Sequence, residues 1–170
     1  MDRQHRPGVA PIFRAQDPRA SNNLTEAKMT PESQRLVRES FAKVAPIAPT
    51  AAAMFYDRLF VLDPQLRPLF KGDMAEQGRK LIGMIGTAVA NLGDLDAIVP
   101  AVRDLGRRHA GYGVQHSHYD TVATALIWTL EQGLGDDFTP ATRQAWLEAY
   151  TSLAGTMQQE AARREHLRRR

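Results

Sequence analysis

Three of the chain's five histidines fall within one sixteen-residue stretch, LGRRHAGYGVQHSHYD, from Leu105 to Asp120. Each of His109, His116 and His118 could offer an imidazole to a metal ion or move a proton near neutral pH. The chain has no cysteine. That excludes disulfides, thiolate zinc sites, iron–sulfur clusters and thioether-attached cofactors. A metal in this chain is held by His, Met, Tyr or carboxylate side chains.

His116 and His118 sit two residues apart where a helix begins, with no carboxylate spaced to complete a site. They are expected to face solvent. His109 differs, because it shares a helical face with Val102, Leu105 and Gly106. It points where apolar side chains point, and Gly106 is expected to leave room one turn before it. Arg107 and Arg108 point elsewhere. On this evidence His109 is either a core histidine satisfied by a backbone carbonyl or a ligand.

Three further residues bear on that choice. Gln77 heads a stripe of Leu81, Ile85, Ala88 and Leu92 that spans an arc of about 80° on a helix. A polar group at the head of an apolar stripe needs a partner. Tyr56 lies on a buried helix face and makes the same demand. Phe70 ends a turn and is large and apolar. One His, one Tyr, one Gln and one Phe aimed inward fit a planar apolar cofactor. Its iron would take imidazole on one side, and hydrogen-bond donors would face a gas on the other.

The elements that position these residues read as helices throughout. Thr30, Pro31 and Glu32 form a start signal. Leu36, Val37, Phe41 and Val44 then repeat at helical spacing until Pro46. A second helix covers 47–62 and is apolar on more than one side. A short turn from Pro64 to Phe70 follows, then a helix from about Asp73 to Leu92. Pro100 opens the segment that carries His109, and Gly111 and Gly113 end it. Ser117 with Asp120 is the expected capping pair of the helix bearing Tyr119, Val122, Leu126 and Leu130. Thr139-Pro140 starts a last long helix with Trp146, Tyr150, Leu153 and Met157. No strand alternation and no internal repeat occur. The expected class is all-α, with about seven helices.

The length, 170 residues with 43% hydrophobic, suits one domain. No apolar run is long enough to span a membrane, and the N-terminus lacks the apolar segment of a secretory signal. A cytoplasmic location is expected. The net charge of +3 is uneven. Residues 1–30 carry +2 and residues 163–170 carry +4, which leaves −3 for the body. The basicity belongs to the ends, so nucleic acid is not an expected partner. Residues 1–29 are expected to form a mobile arm, residues 30–162 the folded domain and residues 163–170 a basic tail.

The chain resembles the globin family, and most of all the haem domain of bacterial flavohaemoglobins and the single-domain bacterial haemoglobins. The motifs are FYDRLFVLDPQLRPLF (55–70), EQGRKLIGMIGTAV (76–89), IVPAVRDLGRRH (98–109) and QAWLEAY (144–150), over about residues 31–160. The resemblance implies a globin fold around a b-type haem, iron protoporphyrin IX, with His109 as the iron ligand. It places Tyr56 and Gln77 at the distal tyrosine and glutamine, Phe70 on the haem face and Leu81 over the iron. Arg108, Val114 and Leu126 are expected to touch the cofactor as well. Tyr119 matches a tyrosine that hydrogen-bonds around the proximal histidine. By count from Trp146 the glutamate position of that network holds Arg163; either Glu160, one turn earlier, substitutes for it or the network is incomplete.

What the resemblance implies functionally is reversible binding of dioxygen, with nitric oxide and carbon monoxide as further ligands. It also implies dioxygenation of nitric oxide to nitrate if Tyr119 and Glu160 render the imidazole electron-rich. The chain stops where a flavohaemoglobin's reductase domain would begin, so a separate reductase is the expected electron donor. Arg107 and Arg108 would meet its acidic surface or the haem propionates. A homodimer is compatible with this reading. A haem-based gas or redox sensor acting through the termini is the alternative.

Overall fold

The computed structural model describes residues 29–170. The arm expected over residues 1–29 lies outside the described residues except for Met29. That residue is buried in the core, and its carbonyl accepts from Gln34 Nε2 at 2.9 Å.

Among the described residues there are six α-helices and no strand: α1 (Pro31–Val44), α2 (Ala48–Leu62), α3 (Met74–Ala90), α4 (Val99–Gly111), α5 (His116–Leu134) and α6 (Pro140–Arg168). The seventh element expected from the sequence is a 3-10 turn, Pro64–Leu69. Two prolines in six residues cannot support the bonding of a longer α-helix.

The starts of α1 and α6 follow one local rule. Thr30 Oγ1 accepts from Ser33 N at 3.1 Å, and Thr139 Oγ1 accepts from Thr142 N at 3.2 Å. In each case a proline follows at the first helical position, where its missing N–H costs nothing. Helix α5 departs from expectation. Its cap is Gln115, whose backbone N–H donates to His118 Nδ1 at 3.0 Å, in place of the Ser117–Asp120 pair. His118 is therefore occupied as a capping group. Helix α6 also runs past residue 162 to Arg168, so most of the expected tail is helical.

The main core gathers Val37, Val44, Val89, Leu92, Ile127, Leu130 and Trp146 from α1, α3 and the turn after it, α5 and α6. Each such side chain, fully buried, contributes about 1.5–3 kcal/mol of hydrophobic stabilisation. The indole N–H of Trp146 donates to Ser40 Oγ at 2.8 Å, and Ser40 in turn donates to the Leu36 carbonyl at 2.6 Å. The hydroxyl thus ties α6 to α1 and leaves no buried polar atom of the pair unmet.

What matters for the site is which helices pack on which. Helix α2 lies on α5 and on α3, while α4 lies on α6. Among the described residues, α3 and α4 make no extensive contact with each other.

Candidate functional site

His109 sits near the end of α4, half-buried. Its Nδ1 lies 2.9 Å from the carbonyl oxygen of Leu105. A carbonyl only accepts, so Nδ1 carries the proton and donates. The neutral ring then keeps its lone pair on Nε2. Burial pushes the imidazole pKa below its ordinary value and the nearby Arg108 charge adds to this, while the Leu105 bond opposes both. The neutral form is favoured, with one nitrogen held and the other a ready ligand.

On α2, Tyr56 is 8% exposed. Its ring stands edge-on to Phe55 at 5.1 Å and to Phe70 at 5.3 Å, and stacks on Phe60 at 6.2 Å. The cluster continues through Leu59, Leu66, Leu81, Val122 and Leu126. Burial pushes the phenol pKa up to about 12. The hydroxyl therefore stays a donor at any physiological pH. Its partner is the backbone carbonyl of Gln77, at 3.4 Å. Gly78 brings that carbonyl close, because a Cβ there would lie 3.0 Å from Ala52 Cβ. A separation of 3.4 Å is long for an O–H···O bond, so this buried hydroxyl is poorly satisfied.

The side chain of Gln77 takes another direction from that expected. Its Nε2 donates to the Lys71 carbonyl at 3.5 Å and does not join Tyr56. Phe70, Leu81, Val114 and Leu126 are half-buried, each leaving apolar surface uncovered. Leu81 and Leu126 also border a small apolar cavity that reaches inward past Phe55 and Ile85 to Trp146.

A model of the globin family matches residues 53–157. The chain belongs to the globin family. It is 31% identical to a flavohemoprotein of Xylella fastidiosa over 139 residues, which cover 80% of this chain and 35% of that protein. The match thus spans about a third of the flavohemoprotein. It is 29% identical to a neuroglobin of Dissostichus mawsoni over 146 residues, covering 78% of this chain and 92% of the neuroglobin. Among solved structures, an engineered carbene transferase from Rhodothermus marinus, described as a nitric oxide dioxygenase candidate, superposes with a TM-score of 0.76. Its identity is 27%, and the match covers 84% of this chain and 99% of the other.

Globins carry haem, and the residues of this globin fit it. His109 offers a free Nε2 on a ring fixed through Nδ1. Tyr56 offers a buried hydroxyl with only a long bond to give up. The half-buried apolar side chains lie on α3 and α5 and on the turns before α3 and after α4. No group of three His, Cys, Asp or Glu side chains among the described residues competes as a metal site.

The contacts around His109 differ from the expected network. Tyr119 is buried with Val102, Leu105, Val114, Tyr150 and Met157, on the His109 side of α5. Its backbone carbonyl accepts from Tyr150 OH at 2.6 Å, but its own hydroxyl makes no hydrogen bond to His109. Glu160 does not reach the imidazole either. It is 5% exposed and pairs with Arg163 at 3.0 Å. That hydrogen bond outweighs burial and holds its carboxyl below the usual range, helped by Arg163, Arg107 and Arg103 as charges. The acceptor at His109 Nδ1 is thus a neutral carbonyl. Arg107 and Arg108 both turn to Asp104, at 2.9 and 3.3 Å.

One feature escaped sequence reasoning. The space expected beside Gly106 is taken by the backbone of Met157 on α6. The only signal for it was a glycine in mid-helix, a poor helix former with no turn to make.

Proposed function

We propose that this globin binds dioxygen reversibly at a b-type haem ligated by His109 Nε2, and that it supports nitric oxide dioxygenation with electrons from a separate reductase. The observation that carries the reading is the Nδ1 bond from His109 to Leu105, which presents Nε2 as the neutral donor. Haem, when bound, supplies an iron that takes a diatomic gas and that needs one electron returned for each nitric oxide converted to nitrate.

The chain's own residues divide the remaining work. Tyr56 donates a hydrogen bond to the acceptor atoms of the gas ligand, in a pocket its aromatic neighbours keep dry. Gln77 can add a second donor if its amide leaves the Lys71 carbonyl, a 3.5 Å contact that costs little to break. Phe70, Leu81, Val114 and Leu126 supply apolar contact for the porphyrin. A carbonyl partner leaves His109 a neutral imidazole, which favours holding dioxygen over pushing electron density to it, so the dioxygenase half of the proposal draws on the likeness to the relatives and not on the contacts of His109. Arg103 and Arg108, exposed on the helix that carries His109, offer an acidic electron donor a cationic approach.

The names of the relatives support both halves of the proposal, as a flavohemoprotein and a nitric oxide dioxygenase candidate. A visible absorption spectrum tests it. The reduced protein should show a haem band that shifts with dioxygen and with carbon monoxide, and His109→Ala should lose the haem. Full haem occupancy in that variant would contradict the axial assignment. Nitric oxide consumption with an added reductase tests the dioxygenase half. A second reading, gas sensing through the termini, draws on the continuity of α6 from the His109 side to Arg168. A partner captured by the tail only in one gas state would favour it.

A further inference from the structure

We propose that Gly106 is a positioning residue for His109: its bare backbone seats α4 on the backbone of Met157 and thereby fixes the carbonyl that orients the imidazole. The inference rests on the reading of His109 as the iron ligand.

The Leu105 carbonyl and the Gly106 amide are the two ends of one planar peptide unit. The carbonyl accepts from His109 Nδ1 at 2.9 Å. The glycine at the other end meets α6. A Cβ on residue 106 would lie 2.8 Å from Met157 O, 2.9 Å from its Cα and 3.2 Å from its carbonyl carbon. Real side chains do not approach backbone so closely, and a helix backbone cannot rotate aside as a long side chain can. Nor can α6 retreat easily, because Ala154, Met157 and Glu160 are buried at this level.

A side chain at 106 therefore lifts this turn of α4 from α6. The peptide unit tips with it, and the bond that holds Nδ1 lengthens or turns. Groups that hold the outer nitrogen of a metal-bound imidazole set ring orientation and ligand strength. Gly106 acts on the ligand through that bond and touches no reacting atom. The same argument explains a residue choice. Gly106 stands well inside α4, where helix preference alone favours alanine.

The test uses the full chain loaded with haem and reduced, with the iron–imidazole stretch read by resonance Raman spectroscopy. Gly106→Ala is compared with Gly86→Ala, which adds the same methyl inside α3 at ordinary contact distance, 3.6 Å from the Phe41 ring. The expected result is one frequency shared by the wild type and Gly86→Ala, and a shifted frequency in Gly106→Ala. Haem release from Gly106→Ala should also be faster by about tenfold. An unshifted band in Gly106→Ala overturns the proposal, as does an equal shift in both variants. No iron–imidazole band in the wild type defeats the reading of His109 itself, which separates the two failures.

Circular dichroism reports whether each variant is folded. If Gly106→Ala is not, the wild type loaded with zinc protoporphyrin decides the matter by nuclear magnetic resonance. A nuclear Overhauser contact between the α-protons of Gly106 and Met157 supports the seat, and its absence overturns it.

Discussion

Replacing Tyr56 by Phe removes one oxygen atom from a closely packed aromatic cluster and leaves the ring in place. The ring contacts at 5.1, 5.3 and 6.2 Å to Phe55, Phe70 and Phe60 do not depend on the hydroxyl. The bond that is lost, to the Gln77 carbonyl at 3.4 Å, is long. The folded state should therefore lose less than about 1 kcal/mol. The ligand should feel the change more. A neutral hydrogen bond contributes about 0.5–1.5 kcal/mol net, and tenfold corresponds to about 1.4 kcal/mol. Dioxygen release should then speed up by roughly two- to tenfold. Stopped-flow displacement of dioxygen by carbon monoxide measures the rate, and urea unfolding measures the stability. An unchanged release rate removes Tyr56 from the distal site. A loss of stability above about 2 kcal/mol would mean that the hydroxyl is structural, and the argument from its poor partner would be wrong.

Three other outcomes follow from the same geometry. Ser40→Ala strands the buried indole N–H of Trp146 and should cost about 1–3 kcal/mol in urea unfolding; a cost near zero would show that another acceptor reaches it. Glu160→Gln should leave the rates of haem and dioxygen release unchanged, since the carboxylate faces Arg163 and not His109; a change in either rate would restore the proximal network. Burial raises the pKa of Tyr56, Tyr119 and Tyr150 above 10.0. The folded state holds these protons more tightly than the unfolded chain, so stability should be intact below pH 10 and fall as pH rises from there. Alkaline unfolding curves that stay flat from pH 10 to 12 would refute this.

The helices and the inward set were legible because they rest on local rules. Thr-Pro starts at residues 30 and 139, and apolar residues spaced three or four apart put Tyr56, Leu81 and Leu126 into one cluster. Residues that depend on a rotamer or on a distant helix were not. The turn at Phe70–Asp73 gives the Gln77 amide a carbonyl to bond, and nothing in the helical stripe foretells it. Glu160 was expected at His109 because it is an acid at nearly the right position. Three arginines on two helices draw it elsewhere. The start of α5 was misread because Ser and Asp are the commoner caps, while Gln115 and His118 close the same ring of bonds. The crowding at Gly106 involves residues about fifty apart, so no local pattern carries it.

The seat of α4 on Met157 also sets an order in time. A chain leaving the ribosome at about 5–20 residues per second completes α2, α3 and the Tyr56 cluster while α6 is still being made. The surface on which α4 rests belongs to the last helix. Until the residues around Met157 emerge, the turn that carries the Leu105 carbonyl has nothing to lean on, and the His109 ring has no fixed direction. Porphyrin arriving early would meet the apolar wall first, and its iron would gain a properly aimed ligand only once α6 had been made.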